Sequence, residues 1–290
     1  MVLPGCGNSV KNEKELIEDV GEEITVLFLD NERIQLHVEN LTIERRKTEK
    51  DIDQVYCKIE MSNKNLSVTS YQVMTYSRFN GNEWHLISTT PYEMDNIVIV
   101  KPTSVMFDNV INTIQNTNNQ LANFRSLIND YTIVCSENIV TYEFEISRQA
   151  GIMNMSGTVL VKSELYGDRM DGYYMYTSVD DSDVTVKWSV EGTWTGRVGI
   201  SDHEVTITVN KLTSDGIDCS WLYEYDGWFD TETIRGDGSE CRVIDSDDKK
   251  IEVSIRFDTA MIGSFVVTFF VDGTAKVEIP FVGVSDMVQK

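Results

Sequence analysis

From Val184 to the carboxyl terminus, apolar and polar residues alternate in short segments, and this period of two limits the possible folds more than any other feature. The segments are Val184-Val186-Trp188-Val190, Val205-Ile207-Val209, Ile217-Cys219-Trp221-Tyr223-Tyr225, Ile251-Val253-Ile255-Phe257 and Ala275-Val277-Ile279-Phe281. Such alternation is typical of antiparallel strands that have one face on a core and the other in water. Regular short strands separated by turn residues predict a sandwich or small barrel. We therefore expect an antiparallel β-barrel-like domain over residues 182–290.

The dipeptide Asp272-Gly273 is a strong hairpin signal within this region. A two-residue turn there predicts a register in which Phe269 shares a face with Lys276, whereas Phe270 shares a face with Ala275. The strand before the turn would then be apolar on both faces. Its second apolar face would be buried against a neighbouring domain or would form an exposed docking patch.

The residues before this region show two cycles of a helix followed by strands. Asn12-Glu13-Lys14-Glu15 has the form of a capping box, and Leu16, Ile17, Val20 and Ile24 then fall on one helical face. A second helix is predicted over Asp108–Asn129, although this stretch is rich in asparagine. The strand-like segment Val55–Ser62 corresponds in pattern to Val140–Ser147, which indicates a tandem duplication.

One helix followed by antiparallel strands resembles the cystatin-like or NTF2-like arrangement that occurs in tandem on Gram-positive surface lipoproteins. The residues that carry the resemblance are Leu41-Thr42-Ile43-Glu44-Arg45-Arg46, Val55-Tyr56-Cys57-Lys58-Ile59 and Tyr76-Ser77-Arg78-Phe79-Asn80-Gly81-Asn82-Glu83-Trp84-His85-Leu86. The resemblance implies an α+β class, with one repeat over residues 11–100 and a second over 101–181. The second copy has Tyr174 in place of Trp84 and extra residues around Gly167-Asp168-Arg169.

Two tryptophans near the start of the C-terminal region carry a second resemblance. The stretch Trp188-Ser189-Val190-Glu191-Gly192-Thr193-Trp194-Thr195-Gly196 resembles the first strand of lipocalin-like or streptavidin-like barrels, in which a Gly-x-Trp lies near the barrel floor. The resemblance implies an up-and-down barrel for this domain.

The amino terminus contains Leu3-Pro4-Gly5-Cys6, which resembles a bacterial lipobox. The resemblance implies cleavage before Cys6 and lipid attachment to its thiol, so that the protein is anchored to the extracellular face of the cytoplasmic membrane. Residues 1–10 would then be a lipobox remnant and linker. A signal peptide needs roughly 7–15 apolar residues before the cleavage site. The interpretation therefore requires a trimmed or misassigned start; otherwise the motif is accidental.

Composition excludes several classes of function. The chain has 25 basic and 47 acidic residues and a net charge of −22, which disfavours nucleic acid as a partner because phosphates are repelled. The longest apolar run, Phe265–Val271, has the length of a strand rather than of a membrane span. We expect contact with a membrane only through a lipid anchor.

Five cysteines form no Cys-x-x-Cys pair, and there are three histidines, so we expect no metal site and no cofactor. With Cys6 reserved for lipid, the four others allow three disulfide pairings. Cys219 with Cys241 is the favoured pair, because both lie in neighbouring segments of one expected sheet. Buried free thiols are the alternative.

Aromatic residues concentrate in the C-terminal domain and suggest a ligand platform. Trp228, Phe229 and Tyr225 lie beside Asp226-Gly227 and Asp230, where a loop would expose them. Planar rings with polar edges suit sugars and other flat ligands. Packing into the core is the alternative for most of these rings.

Catalytic motifs are scarce. Ser201-Asp202-His203-Glu204 places an acid beside a histidine, but adjacent side chains on a strand point apart, so His203 is interpreted as part of a solvated turn. Arg235-Gly236-Asp237 is likewise interpreted as a turn. The sequence thus favours a non-enzymatic surface lipoprotein that binds a small ligand, a glycan or a surface protein. The alternatives are an envelope enzyme with a site in a repeat cavity and a purely structural spacer.

Overall fold

The computed structural model describes residues 10–29, 32–78, 83–199, 203–226, 231–257 and 263–290. About 67% of the protein is strand and 12% is helical, and the strands form large curled antiparallel sheets. The predicted α+β class with two tandem helix-plus-sheet repeats is therefore wrong. Residues 11–181, where the repeats were predicted, consist mainly of long strands. Apolar and polar residues alternate there over longer stretches than the segments from which the repeats were predicted.

The chain divides into two compact units. Unit 1 comprises Met1–Val110, Ile133–Tyr142 and Val161–Ser178, and unit 2 comprises Ile111–Thr132, Glu143–Leu160 and Val179–Lys290. The stretch interpreted as the second repeat contributes segments to both units. It therefore does not close a core of its own, which a tandem repeat of an independent fold would require.

Unit 1 begins with a helix and a six-stranded antiparallel sheet. The elements are α1 (Glu13–Val20), β1 (Glu23–Leu27), β2 (Arg33–Glu49), β3 (Ile52–Ser62), β4 (Leu66–Arg78), β5 (Trp84–Pro91) and β6 (Asn96–Ile99). The strand order is β1-β2-β3-β4-β5, and β6 also pairs with β4.

The predicted capping box at the start of α1 is confirmed. The Asn12 side chain accepts a hydrogen bond from the Glu15 backbone N–H, and the Glu15 carboxylate accepts one from the Asn12 N–H. Leu16 is fully buried, as its place on the apolar face predicts. Ile24 lies in β1 instead of on the helix, because Gly21, with φ of 91°, ends α1.

The second helix is shorter than predicted and starts earlier. The elements that follow β6 are α2 (Ser104–Thr117), β7 (Ile128–Ser136), β8 (Ile139–Ala150), β9 (Met153–Asp168) and β10 (Gly172–Asp180). Asn118 follows α2, and its side chain accepts a hydrogen bond from the Gln120 backbone N–H, which starts a separate 3₁₀ turn. The Asn118 side chain thus ends the helix, because it offers a backbone N–H a hydrogen bond outside the helical pattern.

The described part of the C-terminal stretch consists of strands, as the alternation predicts, with one 3₁₀ turn at Gly238–Glu240. The strands are β11 (Thr185–Trp188), β12 (Gly192–Val198), β13 (His203–Thr213), β14 (Gly216–Asp226), β15 (Thr231–Asp237), β16 (Cys241–Ser246), β17 (Lys250–Arg256), β18 (Ser264–Phe270), β19 (Ala275–Ile279) and β20 (Gly283–Gln289). The larger sheet has the pairing order β16-β17-β18-β19-β20-β12-β13-β11-β9-β8-β7; in addition, β10 pairs with β9, and β14 pairs with both β13 and β15.

The register between β18 and β19 differs from the two-residue turn that was predicted. Phe269 pairs with Ala275 and Val267 pairs with Val277, so that both apolar sets share one buried face. The turn contains one more residue than predicted, and Gly273 adopts φ of 87° within it. A one-residue shift moves every side chain of a strand to the other face. Burial of one apolar face decides the register, and the other face combines the half-buried Val266 and Phe270 with Lys276 and Glu278 instead of with Ala275 and Val277.

Candidate ligand-binding site

Six aromatic side chains from four strand ends meet in unit 2. This aromatic cluster consists of His203 at the start of β13, Trp221, Tyr223 and Tyr225 on β14, Phe257 directly after β17, and Phe265 on β18. β13 pairs with the end of β14 through Glu204 and Glu224, and Arg256 pairs with Ser264 where β17 and β18 meet. Antiparallel pairing therefore brings these ends together.

The strand period places the cluster residues of β14 on one face. Trp221 and Tyr223 are buried, with 4% and 1% of their surface exposed, whereas Tyr225 is half-buried. On the neighbouring strand, His203 precedes the buried Val205 by two residues and so shares its face. Burial thus decreases along the cluster toward the strand ends.

The inner part of the cluster is tightly packed. The ring of Tyr223 lies 5.4 Å from that of Phe257 and 6.1 Å from that of Phe265. Trp221 meets Phe265 edge to face, with ring centres 5.9 Å apart and an interplanar angle of 79°. These distances are within the range of favourable aromatic pairs, so the inner rings hold the position of the outer ones.

The outer part is a set of nearly parallel rings. The His203 ring is inclined by 11° to Tyr223 and by 12° to Tyr225, with centres 5.9 Å away in both cases. Tyr223 and Tyr225 are 5.3 Å apart and inclined by 23°. Because His203 and Tyr225 are only half-buried, part of this flat surface is open to a ligand.

Polar atoms at the ring edges have defined partners. His203 Nδ1 and the Tyr223 hydroxyl share a hydrogen bond of 2.6 Å. The Tyr225 hydroxyl donates to the exposed carboxylate of Glu232 on β15. Asp226 is exposed at the end of β14 and accepts a hydrogen bond of 3.0 Å from Thr231. Two carboxylates therefore lie at the rim of the flat surface.

The environment keeps the rings of this surface uncharged at neutral pH. Burial lowers the pKa of His203 below 6.5, although the negative charge of Asp226 opposes this effect. Burial raises the pKa of Tyr223 to about 12. The pKa of Tyr225 is raised chiefly by the hydrogen bond to Glu232. Neutral rings beside acceptor carboxylates suit a neutral ligand with hydroxyl groups.

Tyr225 is the predicted ligand-binding residue that the structure places in the cluster. Trp228 and Phe229 lie outside the described residues, in the segment between β14 and β15. The interpretation of His203 as part of a solvated turn is wrong, because the ring is half-buried on β13 and hydrogen-bonded to Tyr223. Extending the alternation of Val205, Ile207 and Val209 back by two residues would have found it.

Gly236 is part of the packing around the cluster. Arg235-Gly236-Asp237 belongs to β15 and is not the predicted turn. A Cβ at Gly236 would lie 2.6 Å from Cζ2 of Trp221, so only glycine leaves room for the indole ring. This close approach of backbone to ring explains the glycine of the tripeptide.

A different kind of cluster lies inside unit 1. The hydroxyl of Tyr173 donates a hydrogen bond of 2.6 Å to the Asp95 carboxylate. Burial raises the pKa of Asp95 and lowers the pKa of Arg169. Asp168 accepts hydrogen bonds from the backbone N–H groups of Met170 and Asp171, which shapes the turn that carries Arg169. We call Asp95, Arg169 and Tyr173 the polar cluster.

Comparison of the chain with known protein families, with curated proteins and with solved structures found no match. Among the described residues, no helix combines the length and the apolar character that crossing a membrane requires. No three described histidine, cysteine, aspartate or glutamate residues group as ligands for a metal ion.

Proposed function

We propose that the protein is a non-enzymatic binding module that holds a saccharide against the aromatic cluster. The observation that carries the proposal is the set of nearly parallel rings of His203, Tyr223 and Tyr225, which is rigid on its inner side and half-exposed on its outer side. A sugar ring has a flat apolar face that can pack on such rings. Its hydroxyl groups require acceptors and donors at the edge.

The rim of the site supports a sugar over a charged ligand. The carboxylates of Glu232 and Asp226 can accept hydrogen bonds from sugar hydroxyls, and such bonds to charged groups are stronger than neutral ones. An anionic ligand would be repelled by these carboxylates and by the net charge of −22. Trp228 and Phe229, which follow Tyr225 in the chain, lie outside the described residues and remain predicted ligand contacts.

The test is a titration of neutral glycans monitored by tryptophan fluorescence. Trp221 is part of the cluster, so a bound sugar is expected to change its emission. Tyr225→Ala should weaken binding by more than about 1 kcal/mol, as is found when a central aromatic contact is removed. Tyr176→Ala is the matched control, because Tyr176 is a 63% exposed tyrosine of unit 1. Trp228→Ala tests whether the following segment contributes.

Two results would end the saccharide proposal. One is the absence of any response across a broad panel of neutral glycans. The other is equal loss of binding in the Tyr225→Ala and Tyr176→Ala variants, since binding would then be unrelated to the aromatic cluster.

We further propose that the module acts at the outer face of the bacterial cytoplasmic membrane through lipid on Cys6. Cys6 lies outside the described residues, and the support is the lipobox-like Leu3-Pro4-Gly5-Cys6. When the gene is expressed with its upstream sequence, Cys6→Ser should move the protein from the membrane to the soluble fraction. Unchanged fractionation, with no lipid detected by mass spectrometry, would contradict this.

A second candidate function, an envelope enzyme, is favoured by the half-buried Asp95, whose Oδ1 atom is enclosed. Its raised pKa is the property that a general acid needs, and the pKa of a catalytic carboxyl is commonly shifted in this way by burial. Loss of a hydrolytic activity in Asp95→Asn, with the fold retained, would favour this function over the binding module.

A further inference from the structure

The thiols of Cys219 and Cys241 lie against each other in unit 2. Their Sγ atoms are 3.2 Å apart, and both residues are free thiols in the structure. Cys219 is on β14, two residues before Trp221, and Cys241 is the first residue of β16. A disulfide needs sulfurs at about 2.0 Å. The sulfurs must therefore approach by about 1.2 Å to form a bond.

Access to the two sulfurs is unequal. Cys219 has 4% of its surface exposed, whereas Cys241 is half-buried. Cys241 lines a cavity of about 290 Å³ together with Arg242, Arg256 and Glu240. A reagent in this cavity therefore meets the sulfur of Cys241 first.

Two arginines line the cavity of this strongly acidic protein. Arg242 and Arg256 are exposed, and neither forms an ion pair with any residue that the structure describes. Glu240 is engaged elsewhere, since its Oε2 accepts a hydrogen bond of 3.0 Å from the Asp237 backbone N–H. Two guanidinium groups are thus available for carboxylates of a molecule in the cavity.

The shared hydrogen bond differentiates the two thiols. It lowers the pKa of Cys219 and raises the pKa of Cys241. This hydrogen bond is lost once a partner is attached to Cys241, so access from the cavity, and not the order of the two pKa values, decides which sulfur reacts first.

We propose that Cys219 and Cys241 form a reversible disulfide by exchange with a low-molecular-weight disulfide that carries carboxylates. In the first step the sulfur of Cys241 attacks one sulfur of the small disulfide, whose S–S bond breaks and releases one small thiol. In the second step the sulfur of Cys219 attacks Sγ of Cys241, breaks the mixed disulfide and releases the second small thiol. Two electrons and the two thiol protons leave on the two released thiols.

The test uses the reduced full chain with oxidised glutathione, followed by intact mass and peptide mapping. The wild-type chain should lose two hydrogen atoms and give a peptide that joins Cys219 to Cys241. Cys219→Ser should stop at one glutathione adduct on Cys241, because the second step is removed. Cys135→Ser, which changes a cysteine outside the pair, should behave as wild type.

Other reaction patterns would overturn the proposal. One is a wild-type chain that stays reduced or forms a disulfide between other cysteines. The other is a Cys241→Ser variant in which Cys219 takes up glutathione as fast as Cys241 does in the Cys219→Ser variant. Circular dichroism of each variant establishes that it has folded.

The recognition of carboxylates is tested separately with Arg242→Gln and Arg256→Gln in one chain. This variant should react several-fold more slowly than wild type with oxidised glutathione and at an unchanged rate with cystamine, a disulfide that carries amines. Equal rates of variant and wild type with oxidised glutathione would exclude carboxylate recognition by these arginines. Equal slowing with both reagents would exclude it as well.

Discussion

In unit 1 a carboxylate, a guanidinium and a phenol lie together in the interior, whereas in unit 2 the polar edges of the aromatic cluster reach exposed carboxylates. Asp95 and Tyr173 are hydrogen-bonded to each other, and Oδ1 of Asp95 and Nε of Arg169 are buried with no hydrogen-bond partner among the described residues. Tyr225 instead donates to the exposed Glu232. Burial of charge makes the polar cluster costly to disturb. We expect the aromatic cluster to lose an outer ring with little effect on stability, because His203 and Tyr225 are half-buried.

The largest effect is expected inside the aromatic cluster. Phe265→Ala should lower the free energy of unfolding of unit 2 by about 3–5 kcal/mol, because Phe265 is fully buried and its removal leaves a cavity. Tyr225→Ala should lower it by less than about 1 kcal/mol, since Tyr225 is half-buried at a strand end. Urea titration monitored by fluorescence measures both values. Similar losses in the two variants would contradict the division into an inner and an outer part.

The polar cluster is expected to respond next most strongly. Asp95→Ala should lower the free energy of unfolding by about 3 kcal/mol, because Arg169 and Tyr173 lose a buried partner. Asp51→Ala is the matched control at an exposed aspartate of unit 1. Urea titration monitored by far-ultraviolet circular dichroism compares them. Equal stability of the two variants would show that the interaction around Asp95 contributes nothing.

The smallest effect concerns the protonation of His203. Its pKa in the folded chain is lowered from 6.5, so the unfolded chain binds more protons between the two values. Stability should therefore fall as the pH decreases from about 6.5 toward the folded pKa. His203→Gln should remove this part of the pH dependence, whereas His37→Gln should not, because the His37 side chain is 56% exposed.

The measurement is the difference in urea midpoint between variant and wild type at about pH 7.5 and about pH 5. Because variant and wild type share all other titratable groups, this difference isolates the contribution of His203 from groups whose titration changes stability in the opposite direction. Asp95 is one such group, since a raised carboxyl pKa reduces stability as the pH rises through it. A difference that is the same at both pH values would mean that His203 has an unshifted pKa.

Local signals in the sequence predicted local structure well. The capping box of Asn12 and Glu15 depends on four adjacent residues, and it forms as expected. The strand from Ile217 to Tyr225 follows from alternation alone. Pairing partners were not predictable in this way. The register of Phe269 with Ala275 depends on which apolar faces meet in the core, and Asp272-Gly273 does not specify that by itself.

The candidate site, too, could be predicted only in part from the sequence. Tyr225 was predicted from its place among aromatic residues beside acidic turns, but His203, Phe257 and Phe265 were not. They come from three other segments that reach Tyr223 only through the antiparallel pairing of strand ends. The duplication inferred from Val55–Ser62 and Val140–Ser147 failed for a related reason, because alternation is common to all amphipathic strands.

The sequence by itself determined the acidic charge and the alternating strands after Val184, because periodicity and charge are properties of neighbouring residues, but it predicted an α+β class that the structure contradicts. Only the tertiary structure decided which strands share a core, how β18 and β19 are aligned, and that His203 meets Tyr225. It also brought the thiols of Cys219 and Cys241 within 3.2 Å. The physical reason is that the free energy gained by burying apolar surface depends on the packing of the whole unit. Which distant residues come into contact is therefore decided by how well they fill a common core.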